Sequence, residues 1–166
     1  SALVDKLDWP IKLEPMSKFP VIRDLSVDRS RMFDALKRVK AWVPVDGYHD
    51  LGPGERILPE HQKIAYELSK CMTCGCCVEA CPQYSQDNNF IGAAAMSQAR
   101  LFNMHPTGKN LKKDRLDTLM QEGGITSCGN AQNCVEACPR SIPLTESIAH
   151  LGKDVSKQMW KNLFSA

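Results

Sequence analysis

Residues 71–82 read CMTCGCCVEACP, and residues 128–139 read CGNAQNCVEACP. All eight cysteines of the chain lie in these two stretches, and seven of them follow a regular spacing. In a run of the form C-x2-C-x2-C-x3-C-P, three thiolates of one tight loop bind one iron–sulfur cluster and the fourth binds a second cluster. The two runs therefore predict a pair of clusters in which each run closes the site of the other. This favours electron transfer as the function.

The spacing rule assigns the cysteines to two sites, because the fourth cysteine of a run turns away from its own cluster. The second run departs from the pattern, since Ala131 stands where a regular run has its middle cysteine. A methyl group cannot bind iron, so the second site offers three thiolates, which suits a 3Fe-4S cluster. The expected ligands are Cys71, Cys74, Cys77 and Cys138 for a 4Fe-4S cluster, and Cys81, Cys128 and Cys134 for a 3Fe-4S cluster.

Zinc and disulfide interpretations fit this pattern less well. Zinc favours four ligands, usually from two separated pairs of cysteines, and a division of the ligands into four and three does not match that. Cysteines two or three residues apart do not resemble the framework of a secreted protein, and no signal peptide is recognisable. The pattern therefore indicates a reducing compartment. Cys76 falls outside the spacing, and we expect it to be a buried or half-buried bystander.

Composition narrows the class of protein. At 166 residues, with 43% hydrophobic and 24% charged, the chain can bury one modest core. A net charge of +2, from 21 basic and 19 acidic residues, does not favour nucleic acid as a partner. No apolar run approaches the roughly 18 residues that span a bilayer, so we expect membrane association to go only through a partner.

Other familiar sites are not indicated by the sequence. There is no dinucleotide fingerprint, P-loop or G-x-S-x-G motif, so we expect no bound flavin or nucleotide. The four histidines lack a common ligand spacing, which favours structural roles for His49, His61, His105 and His150.

The hydrophobic pattern predicts a mainly α fold, with a helical domain over residues 26–166. Residues 1–25 read differently, because strand-like pieces at residues 2–4 and 21–22 are separated by three prolines. This segment has no evident core of its own, and we interpret it as the tail of a preceding domain that is absent from this chain.

Five helices are expected from residue 26 onward. Asp28 is the expected N-cap of the first, Pro59 begins the second, and the third covers residues 93–102. The fourth ends before Gly123, and Thr145 caps the last. The apolar stripe of the first helix comprises Met32, Phe33, Leu36 and Val39, and that of the last helix Ile148, Leu151, Val155 and Met159.

Both cysteine runs and several short stretches resemble one family. The chain is similar to the C-terminal, α-helical ferredoxin part of the iron–sulfur subunits of succinate dehydrogenase and fumarate reductase. The resemblance covers essentially the whole chain. It is carried by FPVIRDL at residues 19–25, LSKCMTCGCC at residues 68–77, FIG at residues 90–92, RLF at residues 100–102, and the second cysteine run.

The resemblance implies a chain of electron carriers. In that family, electrons pass from a flavoprotein subunit to a 2Fe-2S cluster in an N-terminal ferredoxin domain, then to the 4Fe-4S and 3Fe-4S clusters, and finally to quinone at a membrane-anchor subunit. Residues 1–25 then correspond to the closing strands of that N-terminal domain. The complex is expected on the cytoplasmic face of the bacterial inner membrane, with this chain peripheral.

The same resemblance implies where quinone approaches. Family members that reduce ubiquinone form part of the quinone pocket from the loop after the first run and from the loop of the second run. Pro82 and Ala131 lie in these loops, and Pro82 matches the family pattern. A tryptophan is replaced near Gln86, and Gly129 stands where those relatives have histidine. These departures favour menaquinone and a haem-containing anchor subunit.

Two other classes of protein remain as alternatives. Iron–sulfur subunits of heterodisulfide-reductase or glycolate-oxidase type complexes resemble this layout, but they usually carry two complete four-cysteine runs, and Ala131 argues against them. A binding module held together by zinc is the other alternative. Whether succinate oxidation or fumarate reduction is the physiological direction stays open, because the same carriers conduct both ways.

Overall fold

A computed structural model describes residues 4–44 and 55–164, and secondary structure in these ranges is mainly helical, as the sequence predicts. The two strands are β1 (Val21–Arg23) and β2 (Ser26–Val27). Three 3-10 turns occur at Val4–Lys6, Gly108–Leu111 and Ile125–Ser127. The helices are α1 (Ser30–Arg38), α2 (Pro59–Ser69), α3 (Cys76–Glu79), α4 (Gly92–Met104), α5 (Lys112–Met120), α6 (Asn133–Glu136) and α7 (Leu144–Phe164).

The five expected helices are α1, α2, α4, α5 and α7, whereas the short helices α3 and α6 were not predicted. Pro59 occupies the first turn of α2, where its missing N–H removes no helical hydrogen bond. Asp28 accepts a hydrogen bond from the backbone N–H of Ser30 at 2.8 Å, although Arg29 holds the cap position of α1. The prediction for Thr145 was wrong, because α7 begins one residue earlier, at Leu144.

The N-terminal segment forms a small hairpin. The predicted strand at residues 21–22 is part of β1, which pairs antiparallel with β2, so that Val21 lies opposite Val27. Most of the other predicted strand, residues 2–4, lies outside the described residues, and Val4 begins a 3-10 turn. The division into domains at residue 25 stays a prediction.

Helix α4 is the centre of the core and packs against α1, α2, α3 and α7. Its small side chains allow this close approach, since Ala93, Ala94, Ala95 and Ala99 are all buried. Gly92 begins the helix with φ of +80°, and a Cβ atom there would stand 2.4 Å from Cγ1 of Val78. Glycine is therefore required where α4 meets α3.

Two apolar residues of the predicted helical stripes face solvent instead of the core. Phe33 of α1 is 41% exposed and Met159 of α7 is 55% exposed. The buried positions of α1 are Met32 and Ala35, and Val39, which directly follows the helix, is also buried, so the stripe is narrower than the sequence suggested. A period of three to four residues identifies the apolar side of a helix, but only the neighbouring elements decide how far along the helix that side is covered.

Candidate metal centre

The two cysteine runs follow the same backbone path. In each run the third and fifth residues adopt the left-handed conformation, a four-residue helix follows, and an alanine caps the C-terminus of that helix. Ala131 therefore occupies the place in the second run that Cys74 has in the first. The corresponding left-handed residues are Thr73 and Asn130, with φ of 51° and 53°, and Gly75 and Gln132, with φ of 93° and 65°.

The first run surrounds a cavity together with the end of the second run. Side chains from α4 and from the start of α7 close the cavity on its inner side and make that side apolar. Cys138 joins this lining although it is 57 residues beyond Cys81 in the chain. The cysteines that line the cavity are Cys71, Cys74, Cys77 and Cys138, and the apolar residues are Ala94, Ile142 and Leu144.

A second cavity lies at the loop of the second run. Its cysteines are the remaining three of the regular spacing, and Ala131 lines it beside them. Several carboxamide side chains also face this cavity, so its lining is more polar than that of the first. The cysteines are Cys81, Cys128 and Cys134, and the carboxamides are Gln83, Asn130, Gln132 and Asn133.

The electrostatic environment of the thiols follows the same grouping. Burial raises the pKa of Cys77 to about 12, and the other thiols of the first cavity add to this shift, together with Cys134. Burial also raises the pKa of Cys134, with contributions from the two other thiols of the second cavity. Thiols in such surroundings lose their protons when a bound cation compensates the negative charge, so this donor set fits a metal cluster.

Among the described residues, no three histidine, cysteine or carboxylate side chains converge closely enough to hold a single metal ion. The thiolates of an iron–sulfur cluster bind different iron atoms, so a cluster does not require such convergence.

Residues 17–29 hold the first cysteine loop in place through contacts that no sequence motif predicts. The carboxylate of Glu79 accepts hydrogen bonds from the backbone N–H and the hydroxyl of Ser17, at 2.8 and 2.6 Å. The ring of Phe19 packs over Gly75, where a Cβ atom would stand 3.3 Å from its Cζ. Arg29 donates to the carbonyl of Thr73 at 3.0 Å. These residues fix the loop conformation, and only the folded chain reveals them.

The residues expected near quinone fall into two groups. Pro82 and Ala131 line the second cavity. Gly129 lies directly beside this lining, since a Cβ atom there would stand 2.8 Å from Nε2 of Gln83. Gln86 is exposed and stands outside the described lining of the cavity.

Cys76 and three described histidines, His61, His105 and His150, are absent from the linings of the two cavities. Cys76 is half-buried and lines neither cavity; burial and a hydrogen bond with Cys74 raise its pKa. His105 has a structural role, because its Nδ1 accepts the backbone N–H groups of Thr107 and Gly108, both at 3.2 Å. His49 lies outside the described residues.

Comparisons with known proteins agree with this arrangement. Residues 67–142 match the family model of a 4Fe-4S dicluster domain. The chain is 58% identical over its whole length to the succinate dehydrogenase iron–sulfur subunit of Bacillus subtilis, and spans 66% of that protein. It is 33% identical to the fumarate reductase iron–sulfur subunit of Wolinella succinogenes, over 87% of this chain and 61% of the relative.

A solved structure has the same fold. The Mycobacterium smegmatis Sdh1 complex in the apo form contains a chain that matches with a TM-score of 0.69 and 26% identity, over 88% of this chain and 61% of the other. The chain thus spans about two thirds or less of the length of each of these proteins. In the part of the chain that the structure describes, no helix combines the length and the apolar character needed to cross a membrane.

Proposed function

Since the chain belongs to the family of iron–sulfur subunits of succinate dehydrogenase and fumarate reductase, we propose that it carries electrons between a flavoprotein subunit and membrane quinone. Cys71, Cys74, Cys77 and Cys138 hold a 4Fe-4S cluster, and Cys81, Cys128 and Cys134 hold a 3Fe-4S cluster. An iron–sulfur cluster, when bound, accepts and releases one electron at a time. The chemistry at carbon takes place on another subunit.

One observation carries this proposal: two thiol-lined cavities lie side by side, and each receives cysteines from both runs. Cys134 of the second cavity contributes to the raised pKa of Cys77 in the first, which places the two cavities close together. Two carriers held at such a short separation suit stepwise transfer between them.

The linings suit different tasks. The side chains of Ala94, Ile142 and Leu144 give the first cavity an apolar lining. The carboxamides around the second cavity can donate N–H groups to sulfur, which stabilises added negative charge and raises a reduction potential. The loop of the second cavity is also the more exposed, since Ala131, Gln132 and Asn133 all lie at the surface. The second site is therefore the end of the path that meets quinone.

Membership of the family supports a particular set of partners. A flavoprotein subunit supplies the electrons through a 2Fe-2S cluster in an N-terminal domain, whose tail is residues 1–25, and residues 26–166 form the helical domain. A haem-containing membrane-anchor subunit holds the complex at the cytoplasmic face of the inner membrane. Quinone, in the form of menaquinone, binds near Pro82, Gln86, Gly129 and Ala131. Quinol:fumarate reductase is the second candidate function, favoured by the similarity to the Wolinella succinogenes subunit.

The shared ligation of the clusters gives the first test. Cys138→Ala should abolish the electron paramagnetic resonance signal of the reduced 4Fe-4S cluster, although this cysteine belongs to the second run. Cys81→Ala should instead abolish the signal of the oxidised 3Fe-4S cluster. Cys76→Ala is the matched control and should keep both signals. If Cys138→Ala lost only the 3Fe-4S signal, the assignment of ligands across the two runs would be wrong.

Ala131 gives the second test. Ala131→Cys adds a single sulfur atom at an exposed position that lines the second cavity, so the steric cost should be small. The new thiolate should capture one additional iron and convert this site to 4Fe-4S, with a lower reduction potential and slower reduction of quinone. Glu136→Cys is the control, because Glu136 is exposed on α6 and lies outside the lining of both cavities. Mössbauer spectroscopy and iron counting on both proteins measure the conversion. If the unsubstituted protein already holds two 4Fe-4S clusters, the 3Fe-4S assignment is refuted.

A further inference from the structure

The last two turns of α7 carry a group of large apolar side chains that remain exposed. Met159, Trp160, Leu163 and Phe164 are 55%, 56%, 66% and 77% exposed. Their spacing of one, three and four residues places them on one side of the helix. The rings of Trp160 and Phe164 stack with 5.8 Å between their centroids. Single exposed apolar residues are ordinary, but a contiguous group indicates a contact surface. We call these four residues the α7 apolar tip.

A row of lysines borders the α7 apolar tip. Lys153, Lys157 and Lys161 follow at intervals of four residues, are exposed, and form no ion pair with a carboxylate of residues 4–44 or 55–164. The acidic residue in this stretch, Asp154, is paired with Lys112 at 2.7 Å. The border of the tip is therefore positively charged, and the helix combines apolar aromatic residues with lysines as interfacial helices do.

Helix α7 also relates the tip to the second cavity. Thr145 lines that cavity, and Leu163 follows eighteen residues later. Eighteen residues are about five complete turns and about 27 Å of helix, so the two side chains project from the same side of α7. The side of the protein that presents the second cavity thus also presents the α7 apolar tip.

We propose that the α7 apolar tip inserts into the interfacial region of a bilayer that contains anionic phospholipids, with the lysine row against the phosphate groups. This inference rests on the proposed function in one respect, namely that the second cavity faces the membrane. It amends the expectation that the membrane is reached only through a partner. The contact is short, so it adds to the binding provided by an anchor subunit and does not replace it.

A lipid surface fits the tip better than a second copy of the chain. In a symmetric dimer the same patch meets itself, so tip-to-tip packing would bring two unpaired lysine rows close together. Like charges that face each other across a contact are unfavourable. Phosphate groups compensate these lysines, while the headgroup region accommodates the indole of Trp160 and the apolar side chains beside it.

Vesicle co-sedimentation of the cluster-loaded, full-length protein tests the proposal. The protein should bind vesicles of phosphatidylglycerol and phosphatidylcholine, and bind vesicles of phosphatidylcholine alone more weakly. Leu163→Ser combined with Phe164→Ser should lower the partition coefficient at least about tenfold, because the buried apolar area is lost. Lys157→Gln should lower it about fivefold.

Matched controls come from other exposed positions. Leu13 is 70% exposed in the N-terminal segment, and Lys63 is exposed on α2. Leu13→Ser and Lys63→Gln should leave vesicle binding unchanged. Iron content and the visible spectrum, measured on every variant, show that the clusters are intact.

Two results would overturn the proposal. One is a failure of the unaltered protein to bind the anionic vesicles. The other is a dimer in solution that Leu163→Ser dissociates, which would assign the tip to a second copy of the chain. In either case intact clusters would leave the proposed electron transfer standing, whereas loss of the clusters from the unaltered protein would contradict the proposed function itself.

Discussion

Gly92→Ala should destabilise the protein and weaken the first cluster site, because Gly92 stands where α4 meets α3. The added Cβ would lie 2.4 Å from Cγ1 of Val78, which is fully buried and whose branched side chain cannot easily turn away. The φ of +80° adds strain for any residue with a Cβ atom. Val78 follows Cys77 directly, so a displaced Val78 also moves a proposed cluster ligand.

The magnitude follows from these two costs. The left-handed conformation costs alanine about 1–2 kcal/mol, and overpacking of a core costs about 1–3 kcal/mol. The sum is roughly 2–5 kcal/mol, which corresponds to a decrease of about 4–20 °C in the melting temperature of a domain of this size. Differential scanning calorimetry at one scan rate measures the decrease in melting temperature. The intensity of the electron paramagnetic resonance signal of the reduced 4Fe-4S cluster measures how far the first cluster site is weakened.

Two further variants make this test specific. Gly152 lies within α7, and a Cβ atom there would meet only Cδ1 of Ile125, at an ordinary 3.7 Å. Gly152→Ala should therefore be neutral or stabilising by up to about 1 kcal/mol. The double variant with Val78→Ala and Gly92→Ala should lose less free energy of unfolding than the two single variants lose together, because Val78→Ala removes the side chain with which the new Cβ atom clashes. If Gly92→Ala melted at the same temperature as Gly152→Ala and kept its iron, the packing argument would be refuted.

Two other variants probe hydrogen bonds between distant parts of the chain. Burial alone would raise the pKa of Glu79, but hydrogen bonds from Ser17 and Lys18 hold it below its ordinary value. Glu79→Gln should therefore lower the free energy of unfolding by about 1 kcal/mol at neutral pH. In urea denaturations at a series of pH values, the difference between the two proteins should shrink as the pH falls below 4.5 and through the folded-state pKa of Glu79, because the carboxylate becomes protonated. Arg115 is fully buried and donates to three backbone carbonyls and to Asn103. Arg115→Lys should lower the free energy of unfolding, measured in urea, by about 2–4 kcal/mol, since one ammonium cannot replace a planar fork of donors. Arg23→Lys on the exposed strand β1 is the control and should leave the free energy of unfolding unchanged. Equal effects of the two substitutions would show that the buried contacts of Arg115 are unimportant.

Much of the candidate site was predictable because it is local. The spacing of the cysteines predicts which thiols can converge from one tight loop, and Ala131 shows, without any knowledge of the fold, where the second run lacks a cysteine. The helices α1, α2, α4, α5 and α7 were also predictable, since their apolar periods and the proline at the start of α2 act within a few residues.

The remaining features depend on contacts between distant parts of the chain. Nothing near Glu79 in the sequence indicates that Ser17 binds it, and nothing near Val78 indicates that Gly92 must lack a side chain. The last turns of α7 show the limit most clearly, because Met159 continues the apolar period of the helix and was predicted as part of its apolar stripe. Met159 is nevertheless exposed. A sequence period states which side of a helix is apolar, whereas the positions of the neighbouring helices decide whether that side is buried or left open for a partner.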